Sequence, residues 1–201
     1  MEPEVLGRTI LEKSRDVLWR SLDPANCPFP DAIAHRLLIY PTSGSMLTEE
    51  QFRSVSQCAV NLGECQLLVV TVGDNSSFST RSIEEAFVFD ASQYDEYANR
   101  REVRGYQWTN NVVLGLSGKW CILVSDLGFA IAGGDAKFVR CLSLSGALSP
   151  TEMALGFVES QRRLSRRTGS NDEWVSCLVR HILGPHDAER LIADLDEDTD
   201  G

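Results

Sequence analysis

Three cysteine and histidine positions near the carboxyl end have the residue types that bind zinc. Cys177 and His181 are four residues apart, so a helix places them on one face, and His186 follows a Gly-Pro break. This arrangement matches no standard zinc spacing. A core cysteine and a histidine near a helix carboxyl end explain the same residues without metal. We therefore expect no metal and no cofactor.

Two polar loops that follow apolar strands are candidates for a small-ligand site. In the first loop, residues 42–45, free amides and the dipole of the following helix can bind an anion. If the two strands are parallel neighbours, residues 74–77 emerge at the same sheet end and complete an anion or nucleotide pocket. Glycine-rich phosphate motifs are absent, which argues against nucleotide hydrolysis. The candidate ligand-binding residues are Thr42, Ser43, Ser45, Asp74 and Asn75.

The cysteine and histidine side chains also allow the protein to be interpreted as a hydrolase. Cys121 or Cys58 with His35 or His181 would supply a nucleophile and a base. No cysteine has an obviously electropositive setting, and no G-x-S-x-G elbow exists for a serine nucleophile. We expect a protein without enzymatic activity, and a small Cys- or Ser-dependent hydrolase is the third hypothesis.

A basic cluster near the end of a predicted helix is a candidate contact surface for a protein partner. Cations are also favoured at helix carboxyl ends, and Glu159 can pair with Arg163 at i, i+4. Aromatic residues in the middle of the chain are candidate interface anchors. The candidate interface residues are Arg162, Arg163, Arg166, Arg167, Tyr97 and Trp108.

The formal net charge of −10 narrows the class of partner. Much of it lies in residues 187–201, which are strongly acidic. This balance disfavours nucleic acid and anionic membranes as the main partner and favours a protein with a basic surface. We expect residues 196–201 to form a disordered acidic tail.

The 6 cysteines are dispersed and include no CxxC pair. The first residues lack the basic and apolar regions of a signal peptide, and no apolar run is long enough for a membrane helix. We therefore expect a cytoplasmic protein with reduced thiols.

Hydrophobic periodicity predicts an α+β fold in one domain, residues 1–195. An amphipathic pattern indicates a helix at residues 3–22, and two apolar runs around a Thr48 capping box indicate a β-α-β unit at residues 36–73. Turn clusters predict an antiparallel meander of three or four strands at residues 106–144. A second capping box at Ser149 opens helices over residues 149–195. The predicted sheet is mixed or mainly antiparallel, with helices flanking it.

Two segments are assigned from weaker patterns. The run 136–142 (AKFVRCL) is interpreted as the last strand of the meander, nearer the sheet edge. Residues 82–101 allow helix or strand, and helix is favoured because apolar residues recur near helical spacing.

These observations favour a non-enzymatic intracellular protein-binding module: an acidic regulator, an adaptor, or an inhibitor of immunity-protein type. The alternative is a ligand-binding sensor that uses the 42–45 and 74–77 loops. Absence of catalytic motifs and excess negative charge carry the first hypothesis.

Overall fold

The computed structural model describes residues 5, 6, 9, 10, 12, 14, 27–72, 83–103, 109–146 and 149–197. It is an α+β fold in which helices cover both faces of a six-stranded antiparallel sheet. The strands are β1 (Arg36–Ile39), β2 (Gln66–Val72), β3 (Ile83–Asp90), β4 (Asn111–Gly115), β5 (Trp120–Val124) and β6 (Ala130–Gly134). Their order across the sheet is β1-β6-β5-β4-β2-β3. β1 and β3 are therefore the edge strands of the described sheet.

The helices form two layers. They are α1 (Glu49–Asn61), α2 (Tyr94–Val103), α3 (Ala136–Ser145), α4 (Pro150–Thr168), α5 (Glu173–Leu183) and α6 (Pro185–Glu197). Helices α1 to α3 pack on the sheet face that carries Val69, Trp120 and Ile122. Helices α4 to α6 pack on the face that carries Leu68 and Leu123. Because both faces are covered, the central strands are apolar on both sides, as predicted for β5.

The capping boxes are confirmed at both helix starts. The Thr48 hydroxyl accepts a hydrogen bond from the Gln51 amide at 3.3 Å, and Gln51 Oε1 accepts one from the Thr48 amide at 2.9 Å. Ser149 and Glu152 exchange the same pair of bonds at the start of α4. Each box satisfies amides that lack an intrahelical partner, so the helix begins at a defined residue.

The meander is confirmed for three strands, β4, β5 and β6, which pair in sequence. The predicted fourth strand at 136–142 is wrong, because these residues begin α3. Asp135 caps this helix, since its carboxylate accepts hydrogen bonds from the Lys137 and Phe138 amides at 2.7 and 3.3 Å. Phe138, Val139 and Leu142 are buried at helical spacing, and the Phe138 ring stacks on Trp120 with 3.8 Å between centroids.

The β-α-β unit differs from the expectation in its strand neighbours. β1 and β2 run in the same direction, but β6, β5 and β4 lie between them. At about 4.8 Å per strand, the two strands are about 19 Å apart. The condition for the predicted pocket, parallel neighbours, is therefore not met.

The helix predicted over residues 82–101 is half wrong. Residues 83–90 form strand β3, which pairs with β2 from Gln66 to Val72. The chain then turns at Asp90, whose carboxylate accepts hydrogen bonds from the Ser92 amide and hydroxyl at 2.8 and 2.6 Å. Helix α2 follows. The apolar spacing did not distinguish the two states, because β3 contains adjacent buried residues, Ala86 and Phe87, and so lacks the strict alternation typical of a strand.

At the ends of the chain, the described residues between 5 and 14 are helical, as predicted for 3–22, and Ile10 packs in the core. The rest of that predicted helix lies outside the described residues. The predicted disordered tail begins too early, because Asp196 and Glu197 continue α6. Residues 198–201 lie outside the described part of the chain.

Candidate functional site

The loop after β1 crosses the end of the sheet and is held by hydrogen bonds from its backbone. The Thr42 amide donates to the Gly128 carbonyl at 2.9 Å, beside the β5–β6 turn. Ser43 and Met46 exchange amide and carbonyl bonds at 2.8 and 3.1 Å. The Leu47 amide donates to the Tyr97 hydroxyl at 3.1 Å. Four amides of this crossing segment, residues 41–47, therefore donate within the protein rather than to an anion.

A fully buried arginine fixes the crossing segment to the sheet end. The Arg101 guanidinium donates to Thr71 Oγ1 at 2.9 Å, to Ser45 Oγ at 3.1 Å and to the Thr109 carbonyl at 2.8 Å. Asn111 Nδ2 donates to the Ser45 carbonyl at 2.6 Å. A buried cation is costly unless hydrogen-bond acceptors surround it, and here the acceptors come from different parts of the chain. The bonds therefore join α2, β2, β4 and the crossing segment.

The predicted ligand residues of the first loop take different positions. Ser43 is exposed, Thr42 is half-buried with its hydroxyl donating to the Gly44 carbonyl at 2.7 Å, and Ser45 is buried beneath Arg101. Asp74 and Asn75 lie outside the described residues. Ser45 thus has a structural role. Among the described residues, no residue of the second loop joins Thr42 and Ser43 in a pocket.

Tyr97 lies in the core, so its prediction as a surface anchor is wrong. Its side chain has 0% exposure and its ring packs on Phe52 at 5.1 Å between centroids. Apolar neighbours on α1 and β3 explain this position. Trp108, the other predicted aromatic anchor, lies outside the described residues.

Burial of Tyr97 predicts a loss of stability in strong alkali. Burial raises the pKa of Tyr97 to about 12, although the hydrogen bond from the Leu47 amide and the nearby Arg101 oppose this rise. The unfolded chain releases this proton near pH 10 and the folded chain does not, so stability falls as pH rises from 10 through 12. We expect a loss of about 2–3 kcal/mol over this window. Urea unfolding across pH 9–12 should show it, and Tyr97→Phe should flatten the decline.

The predicted basic cluster lies on α4, in the helical layer opposite α1. Arg163, Arg166 and Arg167 are exposed, and Arg162 is half-buried. The described residues contain no ion pair between Glu159 and Arg163, so that expected i, i+4 pair does not form. The cluster remains a candidate contact surface.

The three zinc candidates are not arranged as a metal site. The His181 ring is engaged, with Nε2 accepting from the Phe29 amide at 3.3 Å and Nδ1 lying 3.2 Å from Arg36. Cys177 and His186 are exposed, so the expected core position of Cys177 is wrong. The pKa of the Cys27 thiol is raised mainly by burial and, to a smaller extent, by the nearby Cys177. Within the described residues, no group of three or more potential ligands is present.

Neither candidate nucleophile has a reactive setting. Cys121 is fully buried in β5, and desolvation raises the pKa of its thiol. Cys58 forms a disulfide with Cys141, which joins α1 to α3. The expectation of reduced thiols is therefore wrong for this pair. Because disulfides are rare in the cytosol, the bond counts against the expected cytoplasmic location.

A groove lies between α1 and the β3–α2 turn. Its volume is about 960 Å³, and its walls come from α1 on one side and residues 90–96 on the other. Four carboxylates line it against one cationic side chain. These carboxylates belong to Glu49, Asp90, Asp95 and Glu96, and the cation belongs to Arg53. We call this surface the acidic groove.

Helix capping and helix dipoles explain why these carboxylates gather here. Glu49 lies in the first turn of α1, and Asp95 and Glu96 lie in the first turn of α2. Negative charge is favoured at both positions. Asp90 accepts the Ser92 hydrogen bonds that form the turn, and these bonds lower its pKa. The fold therefore brings two helix amino termini and one turn carboxylate to the same groove.

Ion pairs neutralise only part of this charge. Arg53 pairs with Glu49, and Arg100 reaches Glu96 with 3.7 Å between Nε and Oε1. Asp90 and Asp95 form no ion pair within the described part of the chain. The groove therefore keeps a net negative charge.

An aromatic side chain lies among the carboxylates. Tyr94 is half-buried, and its ring centroid lies 5.5 Å from that of Phe52 at the groove floor. The pKa of Tyr94 is raised first by burial and then by the charges of Glu49, Glu102 and Asp95. An aromatic face in a negative field is suited to a cationic side chain.

The acidic groove was not predictable from sequence patterns. Glu49 lies far along the chain from the other three carboxylates, and each of the four resembles an ordinary helix-start or turn residue. The excess of acidic over basic residues was the available signal.

No family model, curated protein or solved structure matches this chain. No described helix is both long enough and apolar enough to cross a membrane.

Proposed function

We propose that this protein is a non-enzymatic binding protein whose acidic groove receives a basic segment of a protein partner. The observation that carries the proposal is the negative charge around Tyr94 that no ion pair among the described residues neutralises, above all at Asp90 and Asp95. A regulator, an adaptor or an inhibitor would act in this way by covering a basic surface of its partner.

The groove supports recognition of arginine or lysine side chains in two ways. Carboxylates on both walls attract the cationic group, and the half-buried Tyr94 ring lines the groove between them. The formal net charge of −10 adds a long-range attraction that speeds encounter at low salt. Buried Phe52 gives the groove a floor that does not need to rearrange.

The sensor hypothesis has less support. The crossing segment uses its amides within the protein, and Ser45 is buried. An anion would therefore have to displace existing hydrogen bonds. The acidic groove needs no such rearrangement.

A charge-neutralised groove variant tests the proposal. We expect Glu49→Gln with Asp95→Asn to weaken binding of a basic peptide about 5- to 10-fold, since each lost charge contact contributes about 0.5–0.7 kcal/mol. The probe is a fluorescein-labelled peptide selected by phage display on the unmodified protein, and the measurement is fluorescence anisotropy. Binding should also weaken as salt is raised.

The matched control lies on the opposite helical layer. Asp187→Asn with Asp194→Asn makes the same change in net charge, and it likewise removes one ion-paired carboxylate, because Asp187 pairs with Arg190 at 3.8 Å. This control should bind within twofold of the unmodified protein. Equal losses in both variants, or selected peptides without excess arginine and lysine, would contradict a specific role for the groove.

A further inference from the structure

An apolar cavity lies on the other flank of α1. Its volume is about 260 Å³, and it is bounded by the amino-terminal half of α1, the end of β1, the carboxyl end of α3 and the start of α4. The apolar side chains that line the cavity belong to Leu37, Ile39, Tyr40, Pro41, Leu142 and Met153. This size accommodates one aliphatic or aromatic side chain.

Three polar side chains beside the cavity, those of Thr48, Gln51 and Ser54, are already hydrogen-bonded. Thr48 and Gln51 bond to each other in the capping box, and Gln51 Nε2 donates to the Pro41 carbonyl at 2.7 Å. Ser54 Oγ donates to the Ser145 carbonyl at 3.4 Å. A polar ligand would compete with these bonds, and most of the lining is apolar, so the cavity favours an apolar group.

Consecutive carboxylates connect the cavity with the acidic groove. Glu50 lines the cavity, and Glu49 lines the groove. Both are exposed in the first turn of α1. A segment that crosses α1 at this turn passes both carboxylates. The two surfaces are separated by about the diameter of one helix, roughly 10 Å.

We infer that the partner which lays basic residues in the acidic groove also inserts one apolar side chain into this cavity. The inference rests on the proposed function and specifies its partner. An extended chain covers about 3.3 Å per residue, so the apolar anchor lies about three or four residues from the basic residues. Interfaces commonly place most of their binding energy in a few such buried anchors.

The test is a double-mutant cycle between the anchor and the cavity. The probe is the display-selected peptide, with or without alanine at its apolar position. Alanine should weaken binding to the unmodified protein about 30-fold. Two protein variants fill the cavity from different sides: Ser54→Phe from α1 and Gly146→Leu from the residue that follows α3. Gly146 has φ −77° and ψ 152°, an extended conformation that leucine also adopts.

Each filled variant should bind the original peptide about as weakly as its alanine form, because the anchor has no site left. Asn61→Phe adds the same ring at an exposed position of α1 outside the cavity and should leave the 30-fold difference intact. Thermal unfolding identifies any variant that does not fold, and the second variant then decides. Full anchor-dependent binding to a folded, filled variant would overturn the inference.

Other outcomes separate this inference from the proposed function. Selected peptides that are basic but lack an apolar residue at this spacing, and that still lose affinity in the groove variant, would refute the anchor alone. Peptides that depend on the cavity but not on Glu49 and Asp95 would refute the acidic groove as the basic-segment site.

Discussion

Replacing Arg101 by methionine should lower the free energy of unfolding by about 3–5 kcal/mol. The change leaves the buried Thr71 and Ser45 hydroxyls and the half-buried Thr109 carbonyl without the guanidinium that now donates to them. It also removes one of the hydrogen bonds that hold the crossing segment at the sheet end. Because a domain is stable by only about 5–15 kcal/mol, this loss is a large part of the total. Urea unfolding at neutral pH measures it.

The neighbouring residue provides a matched control. Arg100 is exposed, lies over the Phe87 ring at 4.9 Å and forms a surface ion pair with Glu96. Arg100→Met should therefore change stability by less than about 1 kcal/mol. Similar effects of the two substitutions would show that Arg101 does not hold the sheet end together.

Reduction of the Cys58–Cys141 disulfide should produce the second large effect. The bond closes a loop with a sequence separation of 83 residues. Chain entropy predicts about 4–5 kcal/mol for such a loop, and removal of native disulfides commonly costs about 2–5 kcal/mol. We expect a loss within this range when a dithiol reductant is added. The comparison uses one sequence, so no side-chain volume changes.

Thiol counting checks that the effect comes from this bond. Alkylation of the denatured, unreduced protein should label four cysteines, Cys27, Cys65, Cys121 and Cys177. After reduction it should label all 6. The Cys58→Ala, Cys141→Ala variant should no longer respond to reductant. Labelling of every cysteine before reduction would contradict the disulfide.

Local signals predict those parts of the fold that depend on nearby residues. The Thr48 and Ser149 capping boxes begin helices where expected, because both partners lie within four residues. The wrong strand prediction at 136–142 also came from a local signal. Gly133-Gly134-Asp135 is typical of a hairpin turn, whereas the Asp135 carboxylate starts a helix. The turn chemistry allows both, and packing of Phe138 on Trp120 selects the helix.

Strand order is not predictable from the same signals. β1 pairs with β6, about 90 residues later in the chain, and no local pattern encodes that pairing. The burial of Arg101 is invisible for the same reason, since its acceptors come from β2, the crossing segment and the residues before β4. The acidic groove likewise forms only when α1 meets the β3–α2 turn.

The charge balance is the sequence signal that favours a partner with a basic surface, because acidic residues exceed basic ones. A total charge does not say where on the surface a contact would form. The fold supplies a candidate place, the acidic groove, where Asp90 and Asp95 lie near Tyr94 without an ion pair to any described residue.

Mapping the bound peptide on the protein surface tests the central claim most directly. Amide chemical shifts of the ¹⁵N-labelled protein would be followed during titration with the display-selected basic peptide. We predict that the largest shifts cluster on α1 and residues 90–96, on both walls of the acidic groove. Shifts that cluster instead on α4 and α6, or spread evenly over the surface, would contradict the proposal.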